Sequence, residues 1–146
     1  MKNKLYRSEK IEQEVIKLLL TSKLPENKRL NPGDEVITVA AAFPTTVNPI
    51  IQNGLIPVFI DVELNTTNPT LQSIKNAYSE KTKAVFIAHT LGNPFAAEEI
   101  ANFCTEKGIW LIDDNCDAFG SEYKTKKTGT FGDISTYSFY PAHHIT

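Results

Sequence analysis

Apolar stretches and helix-like stretches alternate along this chain from Asp34 onward, and this alternation constrains the fold more than any other feature. Each apolar run is short, and a Gly or Pro signal and a segment with helical spacing follow it. The unit recurs at roughly 25-residue intervals, which suits a strand followed by a crossover helix. The pattern predicts an α/β fold with a mostly parallel sheet, right-handed crossovers and flanking helices.

Proline and glycine mark the ends of the predicted elements. Pro44 suits the first turn of a helix, and Gly54 and Gly108 each follow a helix as a stop signal. Pro57, early in the second strand, indicates either an edge strand or the start of a strand. The predicted strands are 36–41, 56–62, 84–90, 109–112 and 134–139, and the predicted helices are 9–21, 44–53, 71–78 and 96–107. The stretch 123–129 predicts a polar turn.

Composition limits the class of protein. The 146 residues are 41% hydrophobic and 22% charged, which is enough for one domain with a core. The net charge is −2 and the Lys and Arg residues are dispersed, so we expect no nucleic-acid partner. We find no signal peptide and no run long enough to cross a membrane, and we expect no membrane association. The two cysteines, Cys104 and Cys116, fit neither a disulfide framework nor a metal motif, which favours a cytoplasmic location.

Candidate functional residues lie at the carboxyl ends of the predicted strands, where open α/β sheets bind ligands. They are Phe43 after the first strand, His89 at the end of the third, Asp113, Asp114 and Asp117 after the fourth, and Ser138, His143 and His144 after the last. A buried carboxylate needs a cation or hydrogen-bond donors around it, so at least one of the aspartates is expected to face a positive group. The alternative that Asp113 and Asn115 only cap the next segment stays open, as does a core role for His89.

Several common sites are excluded by spacing. No set of His, Cys and Asp residues has the spacing of a zinc site, so we expect no metal. The chain contains neither a GxGxxG fingerprint nor a GxxxxGK[ST] loop, and it lacks a GxSxG elbow.

Several ordered motifs resemble the DegT/StrS family, whose members are pyridoxal-phosphate-dependent enzymes of fold type I that modify nucleotide-linked sugars. These motifs are Gly33-Asp-Glu-Val-Ile-Thr, Asp114-Asn-Cys-Asp-Ala-Phe-Gly, and Gly129-Thr-Phe-Gly-Asp-Ile followed by Ser138-Phe-Tyr-Pro. The resemblance covers about residues 31–146. It implies that 31–146 form part of the cofactor-binding large domain, that 1–30 form an N-terminal helix and loop, and that the small C-terminal domain is absent.

The resemblance also implies cofactor contacts for five residues. Asp114 would pair with the pyridinium nitrogen and keep the ring protonated, so that the cofactor acts as an electron sink. Phe43 would stack on the ring, and Ser138 would bind the phosphate. Asp117 stands where the family has Gln or His near the phenolic oxygen. His89 would lie near the site in a less defined role.

His143 stands where most of the family has the lysine that holds the cofactor covalently. An imidazole cannot form that bond but can transfer a proton near neutral pH. In the family, this change marks the sugar 3-dehydratases, which use pyridoxamine phosphate to remove the 3-hydroxyl of a nucleotide-linked 4-keto-6-deoxyhexose in lipopolysaccharide sugar biosynthesis. The resemblance therefore assigns His143 as the catalytic base.

The same resemblance implies further partners and leaves alternatives. Full-length relatives of this type use a 2Fe–2S cluster and a partner reductase and form homodimers, and this chain lacks the cluster's ligands. The motif Asn115-Cys116-Asp117 favours a CDP-linked sugar over a GDP-linked one. We expect the isolated chain to be a partial, inactive enzyme. A sugar aminotransferase and a non-catalytic α/β fragment that pairs with another chain are the alternatives.

Overall fold

The computed structural model describes residues 16–20 and 29–139, and its centre is a five-stranded parallel sheet. The strands of the described chain are β1 (Glu35–Val39), β2 (Ile56–Ile60), β3 (Thr82–Ala88), β4 (Trp110–Asp114), β5 (Glu122–Tyr123), β6 (Lys126–Lys127) and β7 (Ile134–Thr136). The sheet has the order β2-β1-β3-β4-β7, and each neighbouring pair is parallel. The predicted α/β fold with a mostly parallel sheet is confirmed.

The helices begin and end close to the signals in the sequence. Residues 16–20 are helical (α1), and the later helices are α2 (Pro44–Gln52), α3 (Leu71–Ala77) and α4 (Ala97–Lys107). Pro44 occupies the first turn of α2, where its missing N–H costs nothing. Gly108 ends α4 in the left-handed conformation, with φ of 66°. The rest of the predicted helix 9–21 lies outside the described residues.

Both faces of the sheet are covered, which explains why its central strands are continuous apolar runs. On one face, Ile37, Val85 and Leu111 pack with side chains of α3 and α4. On the other, Val36, Phe86 and Ile112 pack with α1, α2 and Leu30. The exposed strand β2 lies at the edge, as Pro57 predicted. None of the helices in the described part of the chain has the length and apolar character that a membrane crossing requires.

Three features differ from the prediction. Strand β4 extends through Asp113 and Asp114, two residues further than predicted, because β3 and β7 pair with it up to Asp114. Strand β7 stops at Thr136, where its partner β4 ends. The predicted polar turn is a small antiparallel hairpin of β5 and β6, closed by Lys124 and Thr125 at positive φ.

Candidate functional site

The carboxyl ends of β3, β4 and β7 are joined by backbone hydrogen bonds that continue the ladder past the last paired residues. The His89 N–H donates to the Asp114 carbonyl at 3.0 Å, and the Asn115 N–H donates to the Thr136 carbonyl at 2.8 Å. Side chains at this edge therefore have fixed relative positions. Sequence reasoning placed the candidate site at the same edge.

Asp113 and Asp114 point to opposite faces of the sheet, because consecutive strand residues alternate. Asp114 shares the face of Ile112, which is the side covered by α1 and α2. Asp113 shares the face of Leu111, which is the side covered by α3 and α4. The two carboxylates therefore belong to different environments, although they are adjacent in sequence.

Asp114 is 6% exposed and has one carboxylate oxygen engaged locally. The Cys116 N–H donates to Oδ1 at 2.9 Å, a short-range bond of the kind that shapes a turn. Among the described residues, none donates to Oδ2 of Asp114. A turn-forming contact and a ligand contact at Asp114 are thus compatible, since each uses a different oxygen.

In the described part of the chain, buried hydroxyl groups without partners lie on the face of Asp114. Thr136 is directly opposite Asp114 in the β4–β7 pair, and Thr38 is two residues beyond Val36 on the same face of β1. Among the described residues, no group bonds to the Oγ1 atoms of Thr38, Thr136 or Thr46, the last of which is in the first turns of α2. Since buried polar atoms are nearly always paired, these atoms indicate a polar ligand or water on this side of the sheet.

The other residues predicted for the cofactor lie around this edge. Phe43 immediately precedes α2, and its side chain is 73% exposed, so its ring is available for stacking. Asp117 follows β4 and Ser138 follows β7, and both are partly buried. Parallel strands are about 4.8 Å apart, so β1 and β4 are separated by roughly 10 Å, a span that a pyridine ring with a phosphate arm can bridge. These residues fit a planar anionic cofactor with a basic ring nitrogen.

The side chain of His89 does not share the face of the Asp114 carboxylate. It is fully buried on the opposite face, with its ring stacked on that of Phe95 at a centroid distance of 4.0 Å and an interplanar angle of 3°. Its Nε2 is 3.7 Å from Oδ2 of Asp113. His143 and His144 lie outside the described residues.

Tyr137 shares the environment of Asp113. Burial raises the pKa of the Tyr137 hydroxyl, and the negative charge of Asp113 raises it further. The hydroxyl donates to the Thr128 carbonyl at 3.1 Å and lies against Gly129.

Within residues 16–20 and 29–139, no group of three or more His, Cys, Asp or Glu side chains is placed to hold a metal ion. Cys104 is buried and Cys116 is partly buried, and the two are not joined in a disulfide. Burial, with a smaller effect from Asp133, raises the pKa of the Cys104 thiol to about 12, which makes it a poor nucleophile and a poor ligand.

Sequence reasoning did not single out the threonines Thr38, Thr46 and Thr136. A threonine in a strand is an ordinary β-branched residue, and nothing in the local sequence shows that its hydroxyl is buried without a partner. The position of Thr136 opposite Asp114 depends on the pairing of β4 with β7, which separate segments of the chain provide.

The fold is part of the large-domain fold of the fold-type-I pyridoxal-phosphate-dependent enzymes, with its polar edge at the carboxyl ends of the strands. The model of the DegT/DnrJ/EryC1/StrS aminotransferase family matches residues 14–146. The chain belongs to this family, as the motifs predicted.

Three similar proteins show where in the family the resemblance is strong. The dTDP-4-dehydro-2,6-dideoxy-D-glucose 3-dehydratase of Saccharopolyspora spinosa is 61% identical over 127 residues, which are 87% of this chain and 28% of that protein. The lipopolysaccharide biosynthesis protein RfbH of Salmonella typhimurium is 58% identical over 127 residues, which are 87% of this chain and 29% of that protein. The structure of the Escherichia coli GDP-4-keto-6-deoxy-D-mannose-3-dehydratase with bound hydrated PLP superimposes with a TM-score of 0.85 at 34% identity, covering 95% of this chain and 35% of that one.

The chain therefore spans about 30% of the length of the curated relatives it matches. The predicted likeness to the sugar 3-dehydratases is confirmed.

Proposed function

We propose that this chain supplies the cofactor-binding part of a pyridoxamine-phosphate-dependent enzyme that removes the 3-hydroxyl group of a nucleotide-linked 4-keto-6-deoxyhexose. The observation that carries the cofactor assignment is Asp114, which is nearly buried at the carboxyl edge of the sheet. Among the described residues, one of its oxygens has no donor and hydroxyls on its face have no partner. The bound cofactor would supply an amine for the keto group and a ring that accepts electron density.

The candidate residues have separate tasks in this proposal. Asp114 binds the ring nitrogen and holds a proton on it through its Oδ2 atom. Phe43 orients the ring by stacking, Asp117 lies near the phenolic oxygen, and Ser138 binds the phosphate. His143 accepts a proton beside the cofactor and donates one to the leaving hydroxyl, which suits an imidazole near neutral pH.

The reaction type is supported by His143, which replaces the lysine that other family members use, and by relatives named as 3-dehydratases at 61% and as RfbH at 58% identity. The relatives' names include dTDP-linked and GDP-linked sugars, so the proposal extends to the nucleotide-linked keto sugar as a class. The motif Asn115-Cys116-Asp117 still favours a CDP-linked sugar as the substrate, in the synthesis of a lipopolysaccharide sugar.

The proposal assigns no iron–sulfur step to this chain. A 2Fe–2S centre needs four protein ligands, whereas the chain has two cysteines and one of them is buried. The reductase partner and the homodimer implied by the family are part of the proposal only at the level of the whole protein.

Cofactor binding tests the central assignment. We expect Asp114→Asn to weaken the affinity for pyridoxamine phosphate about tenfold or more, because a hydrogen bond to a charged group contributes about 1.5–3 kcal/mol. Asp61→Asn is the matched control, since Asp61 is exposed just after the edge strand β2. Titration calorimetry measures both. Equal affinities of the two variants would contradict the assignment of Asp114.

The products test the reaction. In a full-length protein that contains these residues, supplied with the nucleotide-linked keto sugar, pyridoxamine phosphate and a reductant, we expect a product that lacks the 3-hydroxyl oxygen, and His143→Gln should prevent its formation without weakening cofactor affinity. A sugar aminotransferase is the second candidate, since the family is named for that activity. An amino sugar formed with glutamate, or PLP that becomes covalently attached after borohydride reduction, would favour the aminotransferase instead.

A further inference from the structure

The carboxylate of Asp113 is fully buried on the face of β4 that the proposed cofactor does not use. A buried carboxylate without hydrogen-bond donors or a cation beside it is strongly unfavourable. The groups around Asp113 therefore indicate its role. Its donors come from segments that are far apart in the sequence.

Two of these donors belong to the segment 129–135, which leads into β7. The Gly129 N–H donates to Oδ2 of Asp113 at 3.2 Å, and the Ser135 hydroxyl donates to Oδ1. The same hydroxyl is also 2.9 Å from the Gly129 carbonyl, so Ser135 joins the two ends of the segment.

The third neighbour is His89, at the end of β3. The Phe95 N–H donates to Nδ1 of His89 at 3.3 Å, so the neutral ring carries its proton on Nε2. That nitrogen is 3.7 Å from Oδ2 of Asp113, and it has no other partner among the described residues. The stacked Phe95 ring holds the imidazole in this orientation.

The segment 129–135 lies so close to β4 that it requires glycine. A Cβ atom at Gly132 would be 2.8 Å from Oδ1 of Asp113 and 2.9 Å from the Leu111 carbonyl. Asp133 adds a second attachment, because the Leu111 N–H donates to its Oδ2 at 2.9 Å and its own N–H donates to the Leu111 carbonyl at 2.9 Å. The Gly-Thr-Phe-Gly-Asp motif is thus the sequence that docks on the Asp113 face of β4.

We propose that Asp113 is a positioning residue that fixes the ends of β3, β4 and β7 relative to one another. By holding Gly129 and Ser135, its carboxylate sets where β7 runs, and therefore where Thr136 and Ser138 lie relative to Asp114. Adjacent aspartates thus have separate tasks: Asp114 meets the ring of the cofactor, and Asp113 places the strand that meets its phosphate. The inference rests on the proposed function, because the effect is read at the cofactor.

The test compares pyridoxamine phosphate with pyridoxamine, which lacks the phosphate. Asp113→Asn keeps the shape but replaces one acceptor oxygen with a donor that faces other donors. If Asp113 positions Ser138, the preference for the phosphorylated ligand falls about tenfold, the effect of losing one well-placed charged hydrogen bond. A purely structural role would lower the melting temperature and leave the ratio of the two affinities unchanged.

Ser135→Ala provides a second variant in case Asp113→Asn does not fold. It removes one donor and keeps the carboxylate, so we expect a fall of about threefold in the same ratio, consistent with the loss of a single neutral-to-charged bond shared with Gly129. Thr130→Ala is the control, because Thr130 lies in the same segment but is exposed, and its hydroxyl donates to the Lys127 carbonyl. An unchanged ratio in Asp113→Asn, or in Ser135→Ala where only that variant folds, overturns the inference.

The outcome also separates this inference from the proposed function. If the unsubstituted protein prefers pyridoxamine phosphate and the Asp113→Asn and Ser135→Ala variants retain that preference, the cofactor site stands and the positioning role fails. If the unsubstituted protein binds neither ligand, the proposed function fails first, and the inference fails with it.

Discussion

At the scale of single residues, Gly129 shows how closely the site segments approach one another. It has φ of 81°, and a Cβ atom there would overlap the hydroxyl of Tyr137. Gly33 has a similar φ of 94°, but nothing lies within 4 Å of the position a Cβ would take. Both glycines thus have a backbone conformation that disfavours other residues, but only Gly129 also lacks room for a Cβ atom.

We expect Gly129→Ala to destabilise the protein more than Gly33→Ala does. Both variants place an alanine in the left-handed region, at a cost of roughly 1–2 kcal/mol. Gly129→Ala must also displace Tyr137 and break its bond to the Thr128 carbonyl, which adds about 1–3 kcal/mol. Urea denaturation of the two variants measures the difference. Equal losses would show that Tyr137 moves aside at little cost.

At the scale of elements, the β5–β6 hairpin is attached to the start of α4 by charged groups. Lys124 Nζ is 3.1 Å from Oε2 of Glu98 and 2.5 Å from Oε1 of Glu99, and the Tyr123 hydroxyl donates to Glu99 at 2.8 Å. The bond from Lys124, followed by the one from Tyr123, lowers the pKa of Glu99. These side chains are partly exposed, so water and salt weaken the interaction.

We expect Lys124→Ala to destabilise the protein only slightly, and only at pH values where Glu99 is ionised. The folded-state pKa of Glu99 is below its unfolded value, so its contribution is complete above the unfolded pKa and is lost as the pH falls through the folded one. The stability difference between the parent and the variant should therefore shrink between about pH 7 and pH 3. Denaturation at several pH values measures it.

Lys126→Ala is the control for the hairpin. Lys126 lies 5.0 Å from the centre of the Phe131 ring, and it has no carboxylate partner among the described residues. Its substitution should give a stability change that does not depend on pH over this range. A constant difference for Lys124→Ala as well would mean that the carboxylates of α4 do not hold the hairpin.

At the scale of the whole molecule, the sheet is a layer between two cores. Phe86 lies in the centre of one core and is fully buried, whereas Phe59 is on the edge strand β2 and is 52% exposed. The same substitution at these two positions compares a residue inside the molecule with one at its border. A cavity at the first position cannot be filled without moving the helices that cover the sheet.

We expect Phe86→Ala to destabilise the protein by about 3–5 kcal/mol. Phe59→Ala should cost less than about 1.5 kcal/mol, because half of its surface already faces water. Since a domain of this size has a stability of about 5–15 kcal/mol, the first variant should lose a large part of it. Thermal denaturation followed by circular dichroism measures both. Similar losses at the two positions would contradict the two-layered core.

Several parts of the fold followed from local signals alone. Pro44 and Gly108 marked the start of α2 and the end of α4, and Pro57 placed β2 at the edge. The hairpin of β5 and β6 was not predicted, because its strands have two residues each and its turn is Lys-Thr rather than a glycine pair. Contacts with α4, and not the local propensity of its residues, stabilise the hairpin.

The sequence by itself determined the parallel sheet, the edge at which the candidate residues gather and the family to which the chain belongs. It did so because strand and helix periodicity, end signals and ordered motifs are all local. Only the tertiary structure decided that the side chains of Asp113 and Asp114 lie on opposite faces of the sheet. That separation exists because β3 and β7 pair with β4 through its last two residues and keep them in strand conformation, and no local signal records which strands those neighbours are.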